Sequence, residues 1–208
     1  AHRRAQILYY IAENLSVRRE EFAQRITEMT GAAMKSAKAE VDLSIDRLFM
    51  YAAWADKYDG AAHGVPIRGL ALAMHEPVGI IGMLCSDQAP LLGMVSVLAP
   101  AIAMGNTCVI VPSQAYPLMA TDFYQVLETS DLPAGVVNIV TAAHNDVVET
   151  MAGHMEVDAL WYFAADGHSA SIERASVTNL KRTWVNHGRS RDWQDAKQGA
   201  GKEFLRQA

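Results

Sequence analysis

The sequence predicts an α/β fold, a largely parallel sheet with flanking helices, preceded by an N-terminal helical segment. Three observations carry this expectation. An apolar run from Val78 to Leu84 leads into a loop, a small-residue helix from Leu91 to Met104, the pair Gly105-Asn106 and a second apolar run from Thr107 to Val111. Strand, helix, turn and strand in that order make a βαβ crossover, which pairs its strands in parallel. The runs Val136 to Val140, Ala159 to Phe163 and Thr183 to Val185 are mostly apolar, as strands buried on both faces must be. Before Gly60 the apolar residues recur at helical spacing.

From about Arg4 to Gly31, Ile7, Leu8, Ile11, Leu15, Phe22 and Ile26 alternate with charged residues. This predicts two amphipathic helices broken near Asn14-Leu15-Ser16, with Ser16 capping the second and Gly31 ending it. A long helix from about Ala32 to Tyr58 presents Val41, Ile45, Leu48, Phe49, Ala52 and Ala53. Gly60 to Glu76 is a Gly/Pro-marked connector in which Val65 to Ile67 and Leu70 to Met74 form a β pair. The α/β core runs from Pro77 to about Gly188, with later helices at Tyr116 to Thr129, Asn145 to Met155 and Ser169 to Leu180. Ser190 to Gly201 is polar and reads as a loose linker.

The 208 residues, 50% of them hydrophobic, suffice for one sizeable core or for a core plus an appendage. A net charge of -5 leaves no electrostatic footprint for nucleic acid or anionic lipid. No charge occurs from Gln88 through Thr121, but Pro90, Pro100, Gly105-Asn106, Pro112 and Pro117 cut that stretch into pieces shorter than the roughly 20 apolar residues a spanning helix needs. His2-Arg3-Arg4 precedes an amphipathic stretch, unlike a signal peptide. Two cysteines do not make a disulfide framework, so a reducing, cytoplasmic setting is expected.

Few residues announce chemistry on their own. Cys85 follows the first core strand, where α/β sheets build their sites, but a free cysteine there reads first as a small hydrophobe. Cys108 sits inside an apolar strand and is core. His144, His154, His168 and His187 show no metal-ligand spacing and read as surface or loop residues, so no metal is expected. Asp87 and Gln88 stand at a strand end, either to meet a ligand or to cap the next helix. Pro112-Ser113 is either a ribose contact or a turn.

Glu76 to Ala120, with LAPAIAMGN (Leu98 to Asn106) and VPSQ (Val111 to Gln114), resembles the coenzyme-binding half of the NAD(P)-dependent aldehyde dehydrogenases, a Rossmann-like unit. DLPAGVVNIV (Asp131 to Val140) is similar to the segment that precedes a strand in that family. The resemblance runs from about Arg4 to Gly188 and keeps the frame while altering the chemical letters. The family's oxyanion-donating asparagine falls on Gln88, one methylene longer. Its lysine that holds the adenosine ribose or phosphate falls on Val111, and the glutamate three residues on falls on Gln114. Its two turn glycines fall on Ala164 and Ser169, with Asp166 placing an anion between them. Its general-base glutamate lies in a strand-end motif matched by Asn186, His187 and Gly188, and a neutral amide cannot take a proton.

The family's nucleophile belongs to a following domain of comparable size, and Arg189 to Ala208 is too short to hold one. WVNHGRSRDW and GAGKEFLRQA are similar to the truncated, non-catalytic C-terminal domain of the two-part family-sixteen aldehyde dehydrogenases. The expected organisation is a coenzyme-domain-like unit over 1–188 (helical lead 1–59, β connector 60–76, core 77–188) followed by a linker and tail over 189–208.

The resemblance thus implies a non-catalytic domain with a structural or association role in an NAD(P)-dependent aldehyde-oxidising protein. Its partner would be a catalytic domain or a second copy, with no nucleic acid and no membrane. Dinucleotide binding is expected to be weak or absent, with Ser113, Pro112 and Gln88 the residues left to contact the cofactor. The alternative is a dinucleotide-binding half of an active enzyme whose catalytic half lies elsewhere. The contact elements implied are Tyr116 to Thr129 or Ser169 to Leu180, with Phe204-Leu205.

Overall fold

The computed structural model describes residues 1–208 as eight α-helices and seven strands. The chain opens with α1 (His2–Val17), α2 (Arg19–Thr30) and α3 (Met34–Trp54). The α1–α2 break falls at Arg18, later than expected, and Ser16 lies inside α1 with no capping role. Asn14 does not break the helix because its side chain is used in tertiary contact, donating to the Thr129 carbonyl and to Ser130 Oγ. Gly31 ends α2, as read.

A two-stranded antiparallel ribbon follows, β1 (Ala61–His63) with β2 (Ala71–Ala73). The second strand lies where the alternation placed it, but the first precedes Val65. Gly64, Pro66 and Gly69 instead shape the loop between the strands.

The main sheet has five parallel strands in the order β5-β4-β3-β6-β7. These are β3 (Ile80–Leu84), β4 (Thr107–Val111), β5 (Val137–Ile139), β6 (Ala159–Tyr162) and β7 (Arg182–Val185). Their connections are α4 (Pro90–Met104), α5 (Leu118–Glu128), α6 (His144–Gly153) and α7 (Ser169–Ser176). A short 3₁₀ turn at Val177–Asn179 follows α7.

Alternation along the strands divides the interior. Ile81, Met83, Cys108, Ile110, Ala159 and Trp161 face a large core shared with α1 to α5, whereas Leu84, Val111, Leu160 and Tyr162 face a cluster of nine buried residues under α6 and α7. The N-terminal helices therefore cover one face, as expected. All 15 residues of α4 are buried, because the sheet, α1, α3, α5 and α8 (Lys202–Gln207) surround it. That explains a helix apolar all round and free of charge.

The Gly-Asn pair closes α4. Gly105 adopts φ 93°, a left-handed conformation that terminates the helix. Asn106 then accepts from the Gly79 N–H at 3.0 Å and donates to the Ala208 carbonyl at 2.7 Å, tying the crossover to the C-terminal segment.

The segment read as a loose linker is instead closed onto the core. Trp193 is 2% exposed, while Phe204 and Leu205 are fully covered by the chain's own helices, so neither offers a free contact surface. The polar letters between them hid one large apolar anchor. Buried Arg47 of α3 donates to the Trp193 carbonyl and to Ser96 Oγ, fastening the tail between α3 and α4.

Candidate functional site

In an open parallel sheet the loops at the C-terminal strand ends form the crevice that binds ligands, deepest where strand order reverses. Here that point lies between β3 and β6, so the relevant loops are 85–89, 112–117, 163–168 and 186–188.

Cys85 is buried at the end of β3, in the larger core, and Cys108 is buried inside β4. Burial pushes both thiols up to about 12, far from the range in which a cysteine is nucleophilic. Asp87 is not a helix cap. Its carboxylate accepts from Ser113 Oγ at 2.6 Å and from the Ala115 N–H at 3.1 Å, strapping the β3 loop to the β4 loop. The N-terminus of α4 is served by α3, where buried Glu40 accepts from the N–H groups of Leu91 (2.9 Å) and Leu92 (3.2 Å). Burial raises the Glu40 carboxyl, and the two backbone donors pull partly against it.

Ser113 is 1% exposed and its hydroxyl is engaged twice, donating to Asp87 and accepting from the Tyr116 N–H at 3.0 Å. With Pro112 and Gln114 it borders a cavity of about 400 Å3. Gln88 borders a different one, of about 270 Å3, against Trp193 and the tail. Pro112 and Ser113 thus border one cavity and Gln88 another.

Val111 and Ala164, where the resemblance expects a lysine and a turn glycine, are members of the same nine-residue apolar cluster, with Ile172 of α7 and Tyr162. Asn186 donates to the Ala164 carbonyl at 2.7 Å and accepts from the Gly188 N–H at 3.1 Å, and Ser169 Oγ accepts from the His187 N–H at 3.0 Å. The altered residues of two motifs hold each other.

Asp166 has an equally internal role. It accepts from the Tyr162 hydroxyl and lies 3.2 Å from His144 Nδ1, while His144 Nε2 lies 3.3 Å from the Pro112 carbonyl. Burial, with the Asp166 carboxylate beside it, pushes the Tyr162 hydroxyl up, holding it neutral. His144 is therefore not a surface residue. It is fully covered because both ring nitrogens meet oxygen partners inside the fold. Neither His144 nor Tyr162 stands out in the sequence: Tyr162 is the last residue of β6 and His144 the first of α6. The four site loops are thus joined by side chains of the chain itself.

No group of three or more His, Cys, Asp or Glu side chains is arranged as a metal site, and no helix is long and apolar enough to cross a membrane.

Comparison with known proteins gives a consistent picture. A family model described as "Aldehyde dehydrogenase family" matches residues 1–190. An aldehyde dehydrogenase from Agaricus bisporus is 28% identical over 188 residues, covering 89% of this chain and 38% of that protein. The cytosolic 10-formyltetrahydrofolate dehydrogenase of Mus musculus is 30% identical over 194 residues, covering 90% of this chain and 22% of that protein. The solved structure of betaine aldehyde dehydrogenase from Staphylococcus aureus in complex with NAD+ superposes with a TM-score of 0.84 at 26% identity, covering 88% of this chain and 37% of that one. The chain thus spans between about a fifth and two fifths of the length of these relatives.

Proposed function

This chain belongs to the aldehyde dehydrogenase family, and from that premise we propose that it is a non-catalytic domain with an association role in an NAD(P)-dependent aldehyde-oxidising protein. One observation carries the reading. At the strand ends where the family's chemistry resides, five of the substituted side chains are turned to internal packing or bonding, while Gln88 stays exposed. Val111 and Ala164 fill an apolar cluster, Asn186 and Ser169 close a turn, and Asp166 is held by Tyr162 and His144.

Hydride transfer from an aldehyde in this family requires a thiolate to add to the carbonyl, a base and an oxyanion donor. Both thiols here are buried and neutral, and the base position carries an amide. Loss of a charged clamp at Val111 removes hydrogen bonds worth roughly 1.5–3 kcal/mol, or about one to two decades of affinity. Ser113, Pro112 and Gln88 remain the contacts proposed for whatever dinucleotide binding persists.

The partner proposed is an aldehyde dehydrogenase catalytic domain or a second copy of the chain, in the cytoplasm, as in the truncated domain of the two-part enzymes. Support comes from exposed large apolar side chains on α5 (Leu118), just past α7 (Val177, Leu180) and around the β1–β2 ribbon (Ile67, Leu70, Leu72, Met74). Such side chains, where contiguous, mark contact surfaces. In this organisation 1–188 is the coenzyme-domain-like unit and 189–208 its closing segment.

The cofactor-donating alternative draws on one observation, that the S. aureus relative of the same fold was solved with NAD+. Calorimetric titration separates the two readings. The non-catalytic reading expects no micromolar NAD+ or NADP+ binding, and background NADH production from a panel of aliphatic and aromatic aldehydes. Micromolar affinity would transfer the chain to the alternative.

A further inference from the structure

At the edge of the family's crevice, the tail and the loop after β7 enclose a further cavity. It lies against the end of β7, has a volume of about 540 Å3, and is bordered by Arg189, Arg191 and Lys197 with Glu203 as its single carboxylate. A concavity carrying three cations and one anion stands out on a chain of net charge -5. Its volume is that of a small-molecule site.

Arg191 is what distinguishes it from a chance cluster of surface charge. Its guanidinium carbon lies 5.1 Å from the ring centroids of both Phe163 and Trp184 and 5.4 Å from that of Phe204, so aromatic faces fix its position. Nη1 donates to the Gln198 carbonyl at 2.6 Å. Glu203 is 3.9 Å away, beyond hydrogen-bonding distance, and Nε and Nη2 have no protein acceptor. Burial lowers the guanidinium from its ordinary value, a cost that a neighbouring anion would offset. Arg189 and Lys197, both exposed and without an ion-pair partner, flank the opening.

We propose that this cavity binds a small oxyanion-bearing ligand, with Arg191 as a preorganised fork at its base and Arg189 and Lys197 as mobile clamps. The chemistry is that shared by phosphate monoesters and carboxylates, both of which match the planar donor pair of a guanidinium. Four of the nine lining residues, Arg191, Lys197, Gln198 and Glu203, lie beyond the residues the family model matches, and the proposal stands on these and on Arg189 whether or not the chain is catalytic.

The test uses the 208-residue chain and two probes, inorganic phosphate and acetate, each titrated calorimetrically and by thermal shift at constant ionic strength. Saturable binding of either probe is expected, and the stronger one identifies the oxyanion class. The double variant Arg189→Gln/Lys197→Gln should weaken it by at least about tenfold with the probe-free melting temperature unchanged. Glu203→Gln, which removes the only carboxylate, should tighten it. Absence of saturable binding for both probes, or binding that the double variant leaves intact, would overturn the proposal.

Discussion

Asn186 Nδ2 donates to the carbonyl of Ala164 at 2.7 Å, joining the end of β7 to the turn after β6. Both residues stand where relatives are expected to carry catalytic or nucleotide-binding groups, and here they satisfy each other. A carboxylate at 186 would accept only and would leave the Ala164 carbonyl without its donor.

Restoring the base is therefore expected to harm the protein without awakening it. Asn186→Glu should destabilise the fold by about 1–3 kcal/mol in urea denaturation, the cost of leaving a partly buried carbonyl unpaired beside a new charge. Aldehyde oxidation should stay at background. A variant that is stable and active would refute the non-catalytic reading.

Val111→Lys tests the nucleotide clamp in the same way. Val111 is fully buried as one of a nine-residue hydrophobic cluster, so an ammonium there has no partner. The substitution should lower stability by several kcal/mol or force a neutral amine, because an unpaired buried charge is among the most destabilising changes known. Calorimetry with NAD+ should show no gain. Tight binding to a well-folded variant would mean that the lysine finds a route to the crevice.

Glu40 gives a pH dependence with a definite sign. Its folded carboxyl is raised above the ordinary 4.5, so the stability linked to its protonated form is fully present below 4.5 and is lost as pH rises through the raised value. Glu40→Gln keeps an oxygen for the Leu91 and Leu92 N–H groups and removes this loss, so its stability should equal or exceed the parent's at neutral pH and vary less above pH 4.5. Glu40→Ala should cost about 1 kcal/mol as a lost helix cap. Denaturation series across pH read both. A Gln variant less stable than the parent at neutral pH would show that the charge itself is needed.

Trp193→Ala measures how far the tail belongs to the fold. The indole is 2% exposed, its ring centroid is 5.4 Å from that of Phe163, and its carbonyl receives Arg47. Truncation should cost about 3–5 kcal/mol, as for other buried aromatic side chains. A loss below about 1 kcal/mol, the scale of an exposed substitution, would restore the linker reading.

The main sheet was legible because its signals are local. Apolar runs such as Ile80 to Leu84 can be buried only on both faces, and Gly105-Asn106 can be read as a helix stop without knowing what it touches. Sequence alone thus determined the strands of the main sheet, their crossovers and the helical lead, and it set the family's frame against altered chemical letters. It located Val111, Ala164, Ser169 and Asn186 one at a time, in separate motifs.

Only the tertiary structure decided what those residues do instead. Val111 and Ala164 are 53 positions apart in the chain yet share one cluster. Asn14 acts on Thr129, Arg47 on Trp193, and His144 on both Asp166 and Pro112. A polar side chain that could cap a helix, break it or bind a ligand takes the partner folding brings within about 3 Å, and sequence spacing carries no record of that choice. The tail was misread for the same reason: one tryptophan among polar letters is a linker by composition, and an anchor once α3 and α4 present a place to bury it.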